Sequence, residues 1–206
     1  NRGDFKLSAG WKNQIWDLYS DIALVVGNNL NGNKVIVPFT VKADVNIPLN
    51  LSDKKLNFGI NSGLKSYQST AYDLEKQYRF SGVNVSLKES SDWFTKLYLN
   101  IPLKSAFMIN ASAEYNITAF NNGRWLPSYT DEFFVNGLYC YNNIFTETLE
   151  TIMTLTYKYK IFTFGVKWNS NWIDLLPTKN KNMFFVNFAI DGEKWGMTIN
   201  TGYSVF

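Results

Sequence analysis

From Val35 to Leu49 the chain alternates without a break. The odd positions read Val35, Val37, Phe39, Val41, Ala43, Val45, Ile47 and Leu49; the even ones read Ile36, Pro38, Thr40, Lys42, Asp44, Asn46 and Pro48. A period of two over that length marks a β-strand with one apolar and one polar face, and excludes a helical stripe. The same rhythm returns at 93–103, 107–119 and 195–205. Weaker runs at 4–12, 15–26, 55–66, 78–88, 132–142, 150–158, 161–169 and 182–191 bring the total to about twelve candidate strands. Turn chemistry punctuates them at 52–55, 89–92, 104–105, 159–160 and 191–194, and longer polar connections lie at 27–33, 67–77, 120–131 and 169–181. Only 68–77 offers a short helix. No linker or low-complexity tract divides the chain, so residues 1–206 read as one all-β domain.

Composition narrows the chemistry. The 206 residues include no His and one Cys, with 18% charged residues, 17% aromatics and a net charge of +3. Without His there is no Ser-His-Asp triad, no imidazole base and no histidine-ligated zinc or haem. Cys140 cannot form an internal disulfide. The charge is too small and too dispersed for nucleic acid. A non-enzymatic chain without cofactor or metal is the expectation.

Alternation permits two opposite solutions. A soluble lipocalin-like barrel encloses its apolar face around an apolar ligand, whereas a transmembrane barrel turns that face to lipid and its polar face to the lumen. Three features favour the membrane. The clean runs have the span of tilted transmembrane strands. Aromatics gather near run ends, at Trp11, Trp16, Trp93, Tyr98, Tyr115, Trp168, Trp172, Trp195 and Tyr203, as interfacial girdles do. The polar face is rich in Asn, Ser and Thr with scattered opposite charges, which suits a side-chain-filled interior. Lys42, Asp44, Lys96, Asn110, Glu114, Lys158 and Lys167 are the lumen-facing candidates, with Arg79 beside them.

Val45-Asn46-Ile47-Pro48-Leu49, followed by a turn and the strand Phe58-Gly59-Ile60-Asn61-Ser62-Gly63-Leu64, resembles the small outer-membrane β-barrels of diderm bacteria, the OmpA/OmpW-like group. Tyr203 through Phe206 resembles their C-terminal assembly signal. The resemblance implies an antiparallel, up-and-down, closed transmembrane barrel of about ten strands, within a range of about eight to twelve. It also implies residence in the outer-membrane bilayer, contact with the barrel-insertion machinery, and loops available to host or envelope proteins. The start at Asn1 reads as an exported chain whose signal peptide has been removed, or as a trimmed one. The alternatives are the soluble carrier and a small pore-forming channel.

Asn46-Ile47-Pro48-Leu49 and Asn100-Ile101-Pro102-Leu103 approach their turns alike, which predicts that the turns share a rim. Run 78–88 then does not cross, and 4–12 with 15–26 forms one bent strand. Arg2-Gly3-Asp4 spells an adhesion tripeptide; an ordinary mobile terminus is the simpler reading. Glu147 with Glu150, and Asp131 with Glu132, read as solvated carboxylates rather than acid–base pairs. The Asn-X-Ser/Thr matches at Asn50, Asn84, Asn110 and Asn116 read as coincidence.

Overall fold

The structure, a computed structural model, describes residues 2–27, 35–49, 55–77, 81–82, 87–103, 106–120, 123–128, 134–135, 137–173, 181–191 and 196–205. The alternating runs become strands. In chain order these are β1 (Arg2–Lys12), β2 (Trp16–Gly27), β3 (Val35–Ile36), β4 (Phe39–Pro48) and β5 (Lys55–Tyr67). The helix α1 (Ala71–Gln77), β6 (Ser81–Gly82), β7 (Ser90–Pro102), β8 (Phe107–Thr118), β9 (Arg124–Pro127) and β10 (Phe134–Val135) follow. The chain ends with β11 (Leu138–Ile144), β12 (Glu147–Tyr159), β13 (Phe162–Ile173), β14 (Asn182–Asp191) and β15 (Gly196–Val205).

The fold is all-β. Its principal sheet follows the antiparallel path β1-β2-β4-β5-β7-β8-β12-β13-β14-β15, with β3 as a spur on β2. A second sheet has the order β10-β11-β6, with β9 also paired to β11 along Tyr141–Ile144. Because strand sense alternates along the main path, its connections sort to two ends. The consecutive pairs β1–β2, β4–β5, β7–β8, β12–β13 and β14–β15 succeed each other at one end, across short stretches of chain. The longer stretches of chain, between β2 and β4, β5 and β7, β8 and β12, and β13 and β14, belong to the other end, and their described residues include β3, α1 and the strands of the small sheet. The two Asn-Ile-Pro-Leu segments finish at the same end, since β5 and β7 run between them, while the turns at 50–54 and 104–105 lie outside the described residues.

Local chemistry explains several boundaries. The side-chain oxygen of Asn13 accepts the N–H groups of Ile15 (2.8 Å) and Trp16 (2.6 Å), an Asx turn that closes β1–β2. Lys160 takes φ 51° in the tight turn before β13, the positive value that such hairpin turns demand. Thr70 caps α1 by accepting the Asp73 N–H at 3.1 Å.

Several expectations need correction. Runs 4–12 and 15–26 are not one bent strand; they are β1 and β2, paired from Arg2↔Gly27 to Lys12↔Asp17. Run 78–88 does stay out of the main sheet as expected: among its described residues the strand is β6, which belongs to the second sheet. Run 132–142 also leaves that sheet, because its apolar residues supply the small one. The ten-strand path thus arises from a different selection of runs. Residues 89–92 are not a turn. Glu89 leads into β7, and Glu89, Ser90, Ser91 and Asp92 are buried. Arg2-Gly3-Asp4 lies inside β1 and is paired rather than loose.

The closure that the resemblance implies is not present among the described residues. Among the described residues β1 and β15 do not pair with each other, and each is exposed along its described length. Period two encodes faces; it does not encode the register that would join the first strand to the last.

The two faces of the main sheet are unequally covered. Phe5, Leu7, Trp11, Ile22, Val41, Phe58, Leu97, Met153, Phe164, Phe184 and Ile199 lie on the apolar face and are exposed. Among the described residues, Glu147 is the sole charged side chain on that face, at its long-connection end, where it accepts the Tyr115 hydroxyl at 2.7 Å. Dry packing concentrates at the same end. Val25, Ile36, Leu64 and Ala119 form a buried cluster against Phe39, while Leu126, Cys140 and Tyr141 are buried in the small sheet. Rings continue the cluster outward, with Phe39–Trp93 centroids at 5.7 Å and Trp93–Phe120 at 5.9 Å. Trp11 and Trp16 mark the opposite end.

Candidate functional site

The polar face carries the chemistry. Strand register places Lys42, Asp44, Lys96, Asn110, Glu114, Lys158 and Lys167 all on this face. Arg79, Trp195, Asn50, Asn84, Asp131, Glu132 and Phe206 lie outside the described residues. Tyr98 belongs here too and not to an aromatic girdle, since its hydroxyl donates to Asp44.

Rows of side chains cross the strands. One row runs Asp44, Gly59, Tyr98, Ser112. Gly59 stands between Asp44 and Tyr98, and a Cβ on it would collide with both, so the glycine lets side chains two strands apart meet. Lys42 completes the group with an ion pair to Asp44 at 2.6 Å. Asp44 is only 4% exposed, and its lost hydration is offset by these two partners.

A neighbouring row runs Asn46, Asn57, Asn100, Asn110. The Asn57 amide donates to Asn46 at 3.1 Å and the Asn100 amide to Asn57 at 2.8 Å, forming a ladder of side-chain amides. On the other side of Asp44, the row Lys42, Asn61, Lys96, Glu114, Glu150 sets two carboxylates opposite each other. Like charges in that position repel. Lys65 at 3.0 Å and Lys96 at 3.4 Å neutralise Glu114, and Glu150 accepts the Asn169 amide at 2.7 Å. Lys6–Asp21 and Lys12–Asp17, each at 3.0 Å, extend the pairing to β1 and β2.

Across β12–β15 the face changes character. Thr154, Thr156, Thr163, Gly165, Lys167, Phe185, Asn187 and Asn200 line a cavity of about 390 Å³. At the long-connection end a triad around the buried Asp92 ties the small sheet to β5 and β7. Asp92 accepts Arg124 Nε at 3.0 Å and Nη2 at 2.7 Å, and the Tyr67 hydroxyl at 3.0 Å. Burial opposes the Arg124 charge, but Tyr67 and Asp92 outweigh it and raise its pKa above the ordinary value. Ser66 donates to Glu89 at 2.6 Å and Ser90 to the Gly123 carbonyl at 2.8 Å.

Glu147 and Glu150 do not converge, because they fall on opposite faces of β12. Among the described residues, no group of three or more His, Cys, Asp or Glu side chains is placed to hold a metal ion. Cys140 is buried between strands of the small sheet. Sequence reasoning missed Gly59, Lys65, Asn57, Asn100 and Arg124. Parity marked Asn100 as a polar-face residue, but only strand register shows which of these residues meet. No family model, no curated protein and no solved structure matches this chain.

Proposed function

We propose that this chain is an integral outer-membrane β-barrel protein, non-enzymatic, with a side-chain-filled lumen and long connections available for contact at the cell surface. The observation that carries the reading is the sidedness of the main sheet. Its apolar face is exposed and almost free of charge, while its polar face holds the ion pairs and the amide ladder. In water this arrangement would leave a very large apolar surface wet; in lipid it is the low-energy one. The soluble-carrier alternative requires the opposite, with the apolar face enclosed.

The inequality of the two ends supports the same reading, since outer-membrane barrels join their strands by short turns at one rim and longer loops at the other. Closure belongs to the proposal. An open edge in hydrocarbon leaves rows of N–H and C=O groups without partners, at several kcal/mol each. Pairing of β1 with β15 removes both edges, and the even path of strands makes that pairing antiparallel. The crowded polar face favours a filled interior over an open pore.

Detergent phase separation tests the reading. The purified protein should enter the detergent-rich phase and, in lipid vesicles, protect its main-sheet strands from added protease. A monodisperse protein in the aqueous phase without detergent would overturn it.

A further inference from the structure

The lysines of the polar face fall into two sets. Lys6, Lys12, Lys42, Lys65 and Lys96 each pair with a carboxylate. Lys55, Lys158 and Lys167 pair with none among the described residues; Lys55 is exposed and donates to the Gln14 carbonyl at 3.1 Å, Lys158 is exposed near the short-turn end, and Lys167 is half-buried at mid-strand. The register partners of Lys167 are Thr154 on β12 and Phe185 on β14, and its ammonium lies 5.8 Å from the Phe185 ring centroid. The adjoining rows on these strands carry Ile152, Asn169 and Met183 on one side and Thr156, Gly165 and Asn187 on the other. All are uncharged.

The cavity beside Lys167 is lined by Thr154, Thr156, Thr163, Asn187 and Asn200, residues able to donate, and by the apolar surface of Gly165, Val166 and Phe185. Gly165 makes the Asn187 position available, because a Cβ there would collide with the Asn187 side-chain oxygen. A water takes roughly 30 Å³ of liquid volume, so a cavity of about 390 Å³ accommodates a small anion together with several waters. A cation drawn partly out of water without a counter-charge is unfavourable, and every other half-covered lysine on this face has one. Neutral N–H and O–H donors around a single ammonium are the complement of an oxyanion.

We propose that this cavity binds a small inorganic oxyanion of the phosphate or sulfate class, with Lys167 supplying the charge and Thr154, Thr163, Asn187 and Asn200 the neutral donors. The site requires only the polar face and does not depend on the membrane reading.

The test uses the whole folded chain in detergent micelles, titrated with inorganic phosphate at fixed ionic strength and followed by phosphorus NMR line broadening. Saturable binding is expected, weakened at least tenfold by Lys167→Gln, retained in Lys167→Arg and unchanged in Lys96→Gln. Circular dichroism checks that each variant folds. If Lys167→Gln does not fold, Asn200→Ala on the exposed β15 takes its place, with binding expected to weaken at least threefold. Absence of saturable binding to the unaltered protein overturns the proposal, as does equal affinity in the folded variant. A protein that stays in the aqueous phase yet binds phosphate through Lys167 loses the membrane reading and keeps this site.

Discussion

Gly59 lies between Asp44 and Tyr98 in one row of the sheet, and the hydrogen bond between those two passes over the position a β-carbon would fill. Gly59→Ala therefore forces at least one of them aside. A loss of about 1–3 kcal/mol is expected, the usual range for overpacking. Gly3→Ala, where a Cβ meets nothing within 4 Å, should stay within about 0.5 kcal/mol. Guanidinium unfolding of the two variants in micelles compares them directly; equal midpoints would remove the structural role assigned to Gly59. This role was not legible in the sequence. Alternation places Asp44, Gly59 and Tyr98 on polar faces, but their meeting depends on the offset between three strands, and a period of two is indifferent to offset. The face of each candidate, from Lys42 to Lys167, was legible because parity alone decides it.

At the scale of elements, what could be read was each long strand, and what could not was where some of them pair. Residues 132–142 carry enough apolar character for a strand, and β11 is one, yet it pairs with β9, β10 and β6 rather than with the main sheet. The separation of β1 from β2 was masked because Asn13 performs the turn with its side chain, where a Gly or Pro would have announced it. Glu89 to Asp92 look like turn residues by type. They are buried because the small sheet lies over them and Arg124 reaches down to Asp92. Asp92→Asn would leave that guanidinium without its counter-charge, at a cost of about 3 kcal/mol for breaking a buried pair. The loss should be local. Amide exchange is expected to quicken in β9 and β11 while β4 and β5 keep their protection, and unchanged exchange in β9 would show that the ion pair does not anchor the small sheet.

For the molecule as a whole, the decisive prediction concerns its first and last strands. In a Cys140→Ser background, Ala9→Cys is combined in turn with Met197→Cys, Ile199→Cys, Thr201→Cys and Tyr203→Cys, all on the apolar face. In vesicles, one pair or two adjacent ones should oxidise within a single chain, since paired strands bring α-carbons into disulfide range. If no pair does, the sheet stays open and the barrel is wrong. The short-turn end has a further consequence for how such a chain can change. β1–β2, β4–β5, β7–β8, β12–β13 and β14–β15 are each a complete hairpin closed at that end. Each hairpin carries its own apolar and polar sides in fixed register, so the gain or loss of one keeps every remaining side chain on its face and keeps the number of strands even. The gain or loss of a single strand would do neither. The hairpin, and not the strand, is the unit by which this architecture can grow or shrink while remaining two-faced.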